Sequence, residues 1–326
     1  MVGHGVLTAT TMEFGDTFVI PLATADVVIR QALTVFVRGP LVPHADSFDA
    51  LWRRLVNSHV GARLKFRRSI ADVSWQALSP ADREGEFTSL LDLRQPLIGC
   101  RGVEFAEQTD HPLSSASVRI VDLAAVNGVE RASHLRILFD NAASRDQLTS
   151  LAEWVLAHLP VWWGSAGFEF DYVAGPSYAA YHKMAALAKR YWCVQLQEIT
   201  LLEWDALRGM SSNNWLTLIG DEFAQSKGMS SERLREVAAS LESDGVFHRQ
   251  HTHGVAIAAG SKPLMGDINA GEDVDAYMRV ARGIQPLLLT AHTPLFGPFA
   301  KPEVLEAWLG RFASPRRWLE SDVSID

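Results

Sequence analysis

Val27-Val-Ile-Arg-Gln-Ala-Leu-Thr-Val-Phe-Val-Arg38, closed by Gly39-Pro40, is the stretch whose reading decides the fold class. β-Branched and aromatic residues dominate it, and the Gly-Pro pair cannot continue a strand. With Phe18-Val-Ile just upstream, residues 17–38 read as one or two strands. Asp46-Ser47 then supplies a helix N-cap. Phe48, Leu51, Trp52 and Leu55 follow at a spacing that shares one helical face as far as Gly61. A strand is expected at 64–66. Residues 72–113 are broken by Pro80, Pro96 and Pro112 and offer only a short helix around 87–93. Strands are expected again at 117–123 and 134–139. A helix over 145–159 should turn Leu148, Leu151, Trp154, Val155 and His158 to the core.

The second half repeats the mixture. It reads as an extended stretch at 168–173, helices at 177–190, 203–208 and 231–241, and strands at 246–249 and 254–259. Helices over 273–284 and 302–312 close the chain, the last with Pro302 in its tolerated first turn. Strands and helices alternate without βαβ regularity, so the class is α+β, with mixed or antiparallel sheets flanked by helices. No tandem repeat or low-complexity linker interrupts the chain. A boundary near Ala143 divides it into an N-terminal subdomain, 1–143, and a C-terminal one, 144–326, as two packed units.

Length and composition set outer bounds. The chain has 326 residues, 48% of them hydrophobic, with 10 Trp and 15 Phe, enough for one large core or two smaller ones. Its formal charge is −8. Residues 1–150 hold 15 Lys+Arg against 17 Asp+Glu and residues 151–326 hold 15 against 21, which places the excess in the second half. Such a field disfavours nucleic acid and favours a basic partner. Cys100 and Cys193 are far apart and outside any CxxC, so both are expected as buried, reduced thiols. No signal peptide precedes Thr11 and no apolar run reaches membrane-spanning length, so the cytoplasm is the expected compartment and no membrane association is expected.

Five stretches are candidates for chemistry. His248, His251 and His253 fall within six residues and could hold zinc with Asp267, giving a metal-dependent hydrolase. On a hairpin, however, His248 points away from the other two, so structural or solvated histidines are the stronger reading. Arg53, Arg54, Arg63, Lys65, Arg67 and Arg68, with Trp52 and Phe66, resemble a phosphate groove, but the pattern also fits a solvated face. Gly164-Ser-Ala-Gly lacks the strand–elbow–helix setting of a serine nucleophile, and Gly260-Ser-Lys-Pro-Leu-Met-Gly is no P-loop. Finally, Asp267, Glu272, Asp273 and Asp275 lie in a loop without Lys or Arg. Its spacing departs from the EF-hand pattern, leaving turn and helix capping, or an acidic surface for a basic partner.

Gly164-Ser-Ala-Gly-Phe, Asn214-Trp-Leu-Thr-Leu-Ile-Gly220 and Gly254-Val-Ala-Ile-Ala-Ala-Gly-Ser-Lys-Pro-Leu-Met-Gly-Asp-Ile-Asn269, followed by Tyr277, occur in this order. The set resembles the TsiV-like family of type VI secretion immunity proteins over residues 160–290. The TsiT-type members, directed at nuclease toxins, are nearest in kind. The resemblance implies a non-catalytic protein without a cofactor, whose partner is a cognate secreted effector toxin. That toxin would be a restriction-endonuclease-fold DNase, blocked at its active site. From first principles the motif residues themselves look structural. Gly260 and Gly266 allow turns, and Asp267 and Asn269 can bond turn amides. The acidic loop is therefore the candidate toxin contact, and oligomeric state is left open.

Overall fold

The run Val27–Arg38 forms a single twelve-residue strand, β1, buried except at the half-buried Val28 and the exposed Arg38. The structure, a computed structural model, describes residues 27–72, 74–91, 97–109, 113, 116–139, 144–173, 179–197, 199–243 and 245–323. The expected strand at Phe18-Val-Ile, the end of the 87–93 helix and the boundary at Ala143 lie outside these residues. After β1 come α1 (Ala45–Val56), α2 (His59–Arg63), β2 (Phe66–Ser69), β3 (Gln76–Ala77), α3 (Pro80–Glu84) and α4 (Phe87–Leu90). Next are β4 (Cys100–Ala106), β5 (Ser117–Leu123), β6 (Ala132–Leu138), α5 (Arg145–His158) and β7 (Val161–Tyr172). The remainder comprises α6 (Ala179–Arg190), α7 (Ile199–Arg208), β8 (Leu216–Gly220), α8 (Asp221–Ser226) and α9 (Ser231–Leu241). Then follow β9 (Val246–His251), β10 (Gly254–Ala259), α10 (Asp275–Gly283), α11 (Pro302–Leu309) and α12 (Pro315–Glu320).

The class is α+β. Among the described residues, ten strands form one antiparallel sheet in the order β3-β2-β4-β5-β6-β1-β7-β8-β10-β9. β1 pairs with β6 on one side and β7 on the other, so residues from both sides of position 143 build the same sheet. Across one face runs the apolar row Phe105, Val118, Ile137, Leu33 and Ala166. Trp52 of α1 stacks on Phe105 at 4.5 Å, and Phe48 on the same helix faces Phe87. This is the burial that the Phe48, Leu51, Trp52, Leu55 spacing demands, and all four are buried.

The opposite face carries a different row: Arg68, Glu104, Arg119, Arg136, Thr34, Ser165, Thr217, Ile257 and His248. Trp163 also lies here, with its ring 4.5 Å from Phe36 and its Nε1 donating to the Ala206 carbonyl of α7. At the centre of the row, the fully buried Glu169 accepts from Thr34 Oγ1 at 2.9 Å and from Arg136 Nε at 3.2 Å. Asp171 pairs with Arg30 at 3.2 Å and lies 3.8 Å from Arg136. These contacts tie β6, β1 and β7 together. A one-residue slip would carry the charges to the apolar face, where each unpaired ion costs several kcal/mol.

Several sequence expectations are corrected. The 46–47 cap is replaced by an earlier start at Ala45 after a 3₁₀ turn, Val42–His44, with no side-chain cap. Leu64 caps α2, so β2 begins two residues later than expected. On α5 the buried stripe is Leu148, Leu151, Ala152, Val155 and Leu156. Trp154 is half-buried and His158 exposed, the two rings stacking on each other at 4.4 Å. Cys193 is buried as expected, and burial pushes its thiol up, but Cys100 is exposed. Among the described residues, no helix is long and apolar enough to cross a membrane.

Two measurements test this architecture. Arg136→Met leaves the buried Glu169 without its cation, while Asp171 keeps Arg30, and should cost about 3–5 kcal/mol in a denaturant titration; an unchanged midpoint would refute the pairing role. His134 is fully buried, and burial, followed by the Arg119 and Arg136 charges, holds its imidazole well below the ordinary value. Its neutral folded form therefore contributes full stability above about pH 6.5. Below that pH the unfolded chain alone takes up the proton, and roughly 1.4 kcal/mol is lost per pH unit. Stability against pH between 7 and 5.5 should fall less steeply in His134→Phe than in the parent.

Candidate functional site

The acidic loop is built outward from α6. Arg190, in the last turn of that helix, forks onto Asp267, Nε to Oδ1 at 2.9 Å and Nη2 to Oδ2 at 2.6 Å. The Arg190 hydrogen bonds hold the Asp267 carboxyl below the usual carboxylate range. Asp267 Oδ1 also accepts from the amides of Asn269 and Ala270, which caps the 3₁₀ turn Ile268–Ala270. Glu272 Oε2 accepts from the Asp267 amide at 2.8 Å, closing the loop on itself. Gly271 ends the turn in the left-handed region, φ 69°, where a side chain is strained.

The four carboxylates therefore have two roles. Asp267 and Glu272 are half-buried and spend their oxygens on holding the loop. Asp273 and Asp275 are exposed. Asp273 Oδ1 accepts from the Asp275 amide at 2.8 Å, the first amide of α10, which starts at Asp275 rather than at Asp273 and has Val274 at its N-cap. The result is a braced turn that presents two outward carboxylates at a helix N-terminus.

The histidines do not converge. His248 faces Glu242, Nδ1 to Oε2 at 3.1 Å, and lies on the sheet face opposite to Phe247 and Arg249. His251 is half-buried and His253 is exposed at the β9–β10 turn, while Asp267 is taken by Arg190. Among the described residues no group of three His, Cys, Asp or Glu is placed to hold a metal ion. The metal-hydrolase reading thus loses its assembled centre.

The basic stretch is likewise dispersed. Arg63 pairs with Glu107, Arg67 with Asp82, and Arg68 with Glu104, and Arg54 donates to Ser150 Oγ. These are contacts between neighbouring elements and leave no continuous phosphate track. Gly164-Ser-Ala-Gly lies inside β7, with Ser165 buried, away from any strand-to-helix elbow.

The family-like blocks turn out to be joints of the scaffold. Asn214 Nδ2 donates to the Phe168 carbonyl of β7 while its Oδ1 accepts from the Trp215 amide. A Cβ on Gly167 would lie 2.2 Å from that Oδ1, so only glycine admits the bridge. Trp215 Nε1 donates to the Gly260 carbonyl, and Asn213 Nδ2 to the Tyr277 carbonyl, which locks the 213–220 block to the 254–277 block. Gly266, at φ 68°, sits against Cys193 where a Cβ would clash with its backbone nitrogen. Sequence reasoning placed Gly260 and Gly266 in turns and Trp215 in the core but could not show which residues hold each other.

Asp267→Asn removes the charge that Arg190 grips and should lower the thermal midpoint, whereas Asp273→Asn should change it much less. Equal effects of the two substitutions would contradict the division of roles given above.

Comparison with known proteins agrees with this scaffold. Of the solved structures, the Pseudomonas aeruginosa T6SS protein PA0821 superposes with a TM-score of 0.69 at 16% identity, covering 90% of this chain and 87% of that chain. At that identity the likeness is one of fold. No curated protein matches. A family model described as TsiV, type VI immunity for VRR-NUC, matches residues 137–312, more than half of the chain and all of the 213–277 joints. This chain belongs to the TsiV family of type VI immunity proteins.

Proposed function

We propose that this chain binds a cognate type VI effector bearing a VRR-NUC nuclease domain and neutralises it by covering its active site. The observation that carries this reading is the family match over 137–312. The effector would be a DNase of restriction-endonuclease fold, acting on DNA in the cytoplasm, where the immunity protein would meet it. Inhibition by occlusion needs no catalytic group and no cofactor on this chain. The polar residues of the family blocks are engaged in structural hydrogen bonds, which supports a binder over an enzyme.

Asp267, Glu272, Asp273 and Asp275 remain the proposed toxin contact, with a division of labour. Asp273 and Asp275 face outward to meet a basic surface, and Asp267 and Glu272 hold them in place. A nuclease groove that accepts a phosphate backbone is basic, so two rigid carboxylates gain association rate by steering and lose little entropy on docking.

Co-expression with a cognate VRR-NUC effector should yield a complex whose DNA cleavage is abolished; separate elution with cleavage intact would reject the pairing. Within a complex, the triple variant Glu272→Lys, Asp273→Lys, Asp275→Lys should slow association several-fold at low salt, and less at high salt. Unaltered association kinetics would remove the loop from the interface.

A further inference from the structure

The second sheet face ends, beyond the central strands, in a cleft of about 460 Å³ lined by Arg68, Trp75, Glu104, Arg119, Arg136 and Asp171 among others. Strand pairing sets Arg68, Glu104, Arg119 and Arg136 side by side across β2, β4, β5 and β6. The row is neutralised from both ends. Arg68 gives Nε and Nη2 to one oxygen of Glu104, at 3.0 and 2.8 Å, and rests over the Trp75 ring at 4.4 Å. At the other end Arg136 and Arg30 share Glu169 and Asp171.

Arg119, in the middle, is left over. Its Nε is buried without a hydrogen-bond acceptor, and it joins no ion pair among the described residues. On one side stands Glu104, whose carboxylate is already turned to Arg68; on the other stands Arg136, a like charge. The charged groups lining the cleft are three guanidiniums, Arg68, Arg119 and Arg136, and two carboxylates, Glu104 and Asp171. One positive charge is therefore uncompensated, and adding the buried Arg30 and Glu169 leaves that balance unchanged. A half-buried guanidinium with an unmet donor lowers the stability of the free chain, a local flaw of the kind that folds keep at functional sites.

We infer that this cleft receives one aspartate or glutamate side chain of the effector, gripped by the Arg119 fork. The inference rests on the immunity reading given above. One carboxylate completes the row, whereas a phosphate dianion would meet repulsion from Glu104 and Asp171. This contact is opposite in sign to that offered by Asp273 and Asp275. A partner presenting one basic and one acidic patch is thereby accepted in a single orientation, and a uniformly basic surface is refused.

The test compares Arg119→Gln and Arg119→Lys with the parent chain, using the VRR-NUC effector as the probe in real-time binding and thermal unfolding of the unbound variants as the second readout. The expected result is at least a tenfold rise in Kd for Arg119→Gln, mainly through faster dissociation. Arg119→Lys should show a smaller rise, and the thermal midpoint should be equal to or above the parent's. Parent-like affinity in Arg119→Gln overturns the inference while leaving the immunity reading standing. A midpoint that falls along with affinity assigns Arg119 a structural role and also overturns it. If the parent chain itself does not hold the effector, the immunity reading fails first and this contact with it.

Discussion

The buried charges of the three central strands are the constraint on which the rest of the molecule depends. Arg136 of β6, Arg30 and Thr34 of β1, and Glu169 and Asp171 of β7 satisfy one another only in the observed register. Burying ions gains little net stability even when they are well paired, because desolvation offsets the Coulomb attraction. Its effect is selective: the wrong register is far worse than the right one. Once β6, β1 and β7 are aligned, every outer strand inherits its facing from them. Apolar residues then meet α1 and α5 on one side, and the polar row continues outward on the other.

That row links scaffold to surface. Near the centre its charges are paired and largely buried, and towards β2 it opens into the cleft at Arg119. Strand pairing thus positions the unpaired guanidinium with the precision of the sheet, not of a loop. Similarly, the acidic turn gains rigidity from Arg190 at the end of α6 and from its own Asp267–Glu272 closure. In both places a rigid element presents a charge, which would lower the ordering cost of the proposed association.

The blocks that resemble the family form joints of the scaffold. Asn213, Asn214, Gly167 and Trp215 tie β7, β8 and the end of β10 to one another and to α10, Gly266 packs against Cys193, and none of them offers a reactive group to solvent. A shared fold with PA0821 at 16% identity is what such an arrangement allows.

Much of the element order was legible because its signal is local. The helix at Ser231–Leu241 and the strands at Ser117–Leu123 and Gly254–Ala259 were read to the residue, since apolar periodicity and flanking turn residues mark them. β4 was not read, because Arg101 and Gly102 break its alternation and its stability comes from pairing with β2 and β5. β8 was seen only as a motif, for five residues buried on both sides carry no periodicity. The candidate loop was found from its composition alone, yet composition could not separate carboxylates that brace the turn from those that face outward. Sequence by itself determined the class, most elements and the family, because these rest on near-neighbour patterns and recognisable blocks. Only the tertiary structure decided the single ten-stranded sheet, the scattering of the histidines, the pairing of the basic stretch and the isolation of Arg119. Each of these depends on which distant residue stands across the next strand.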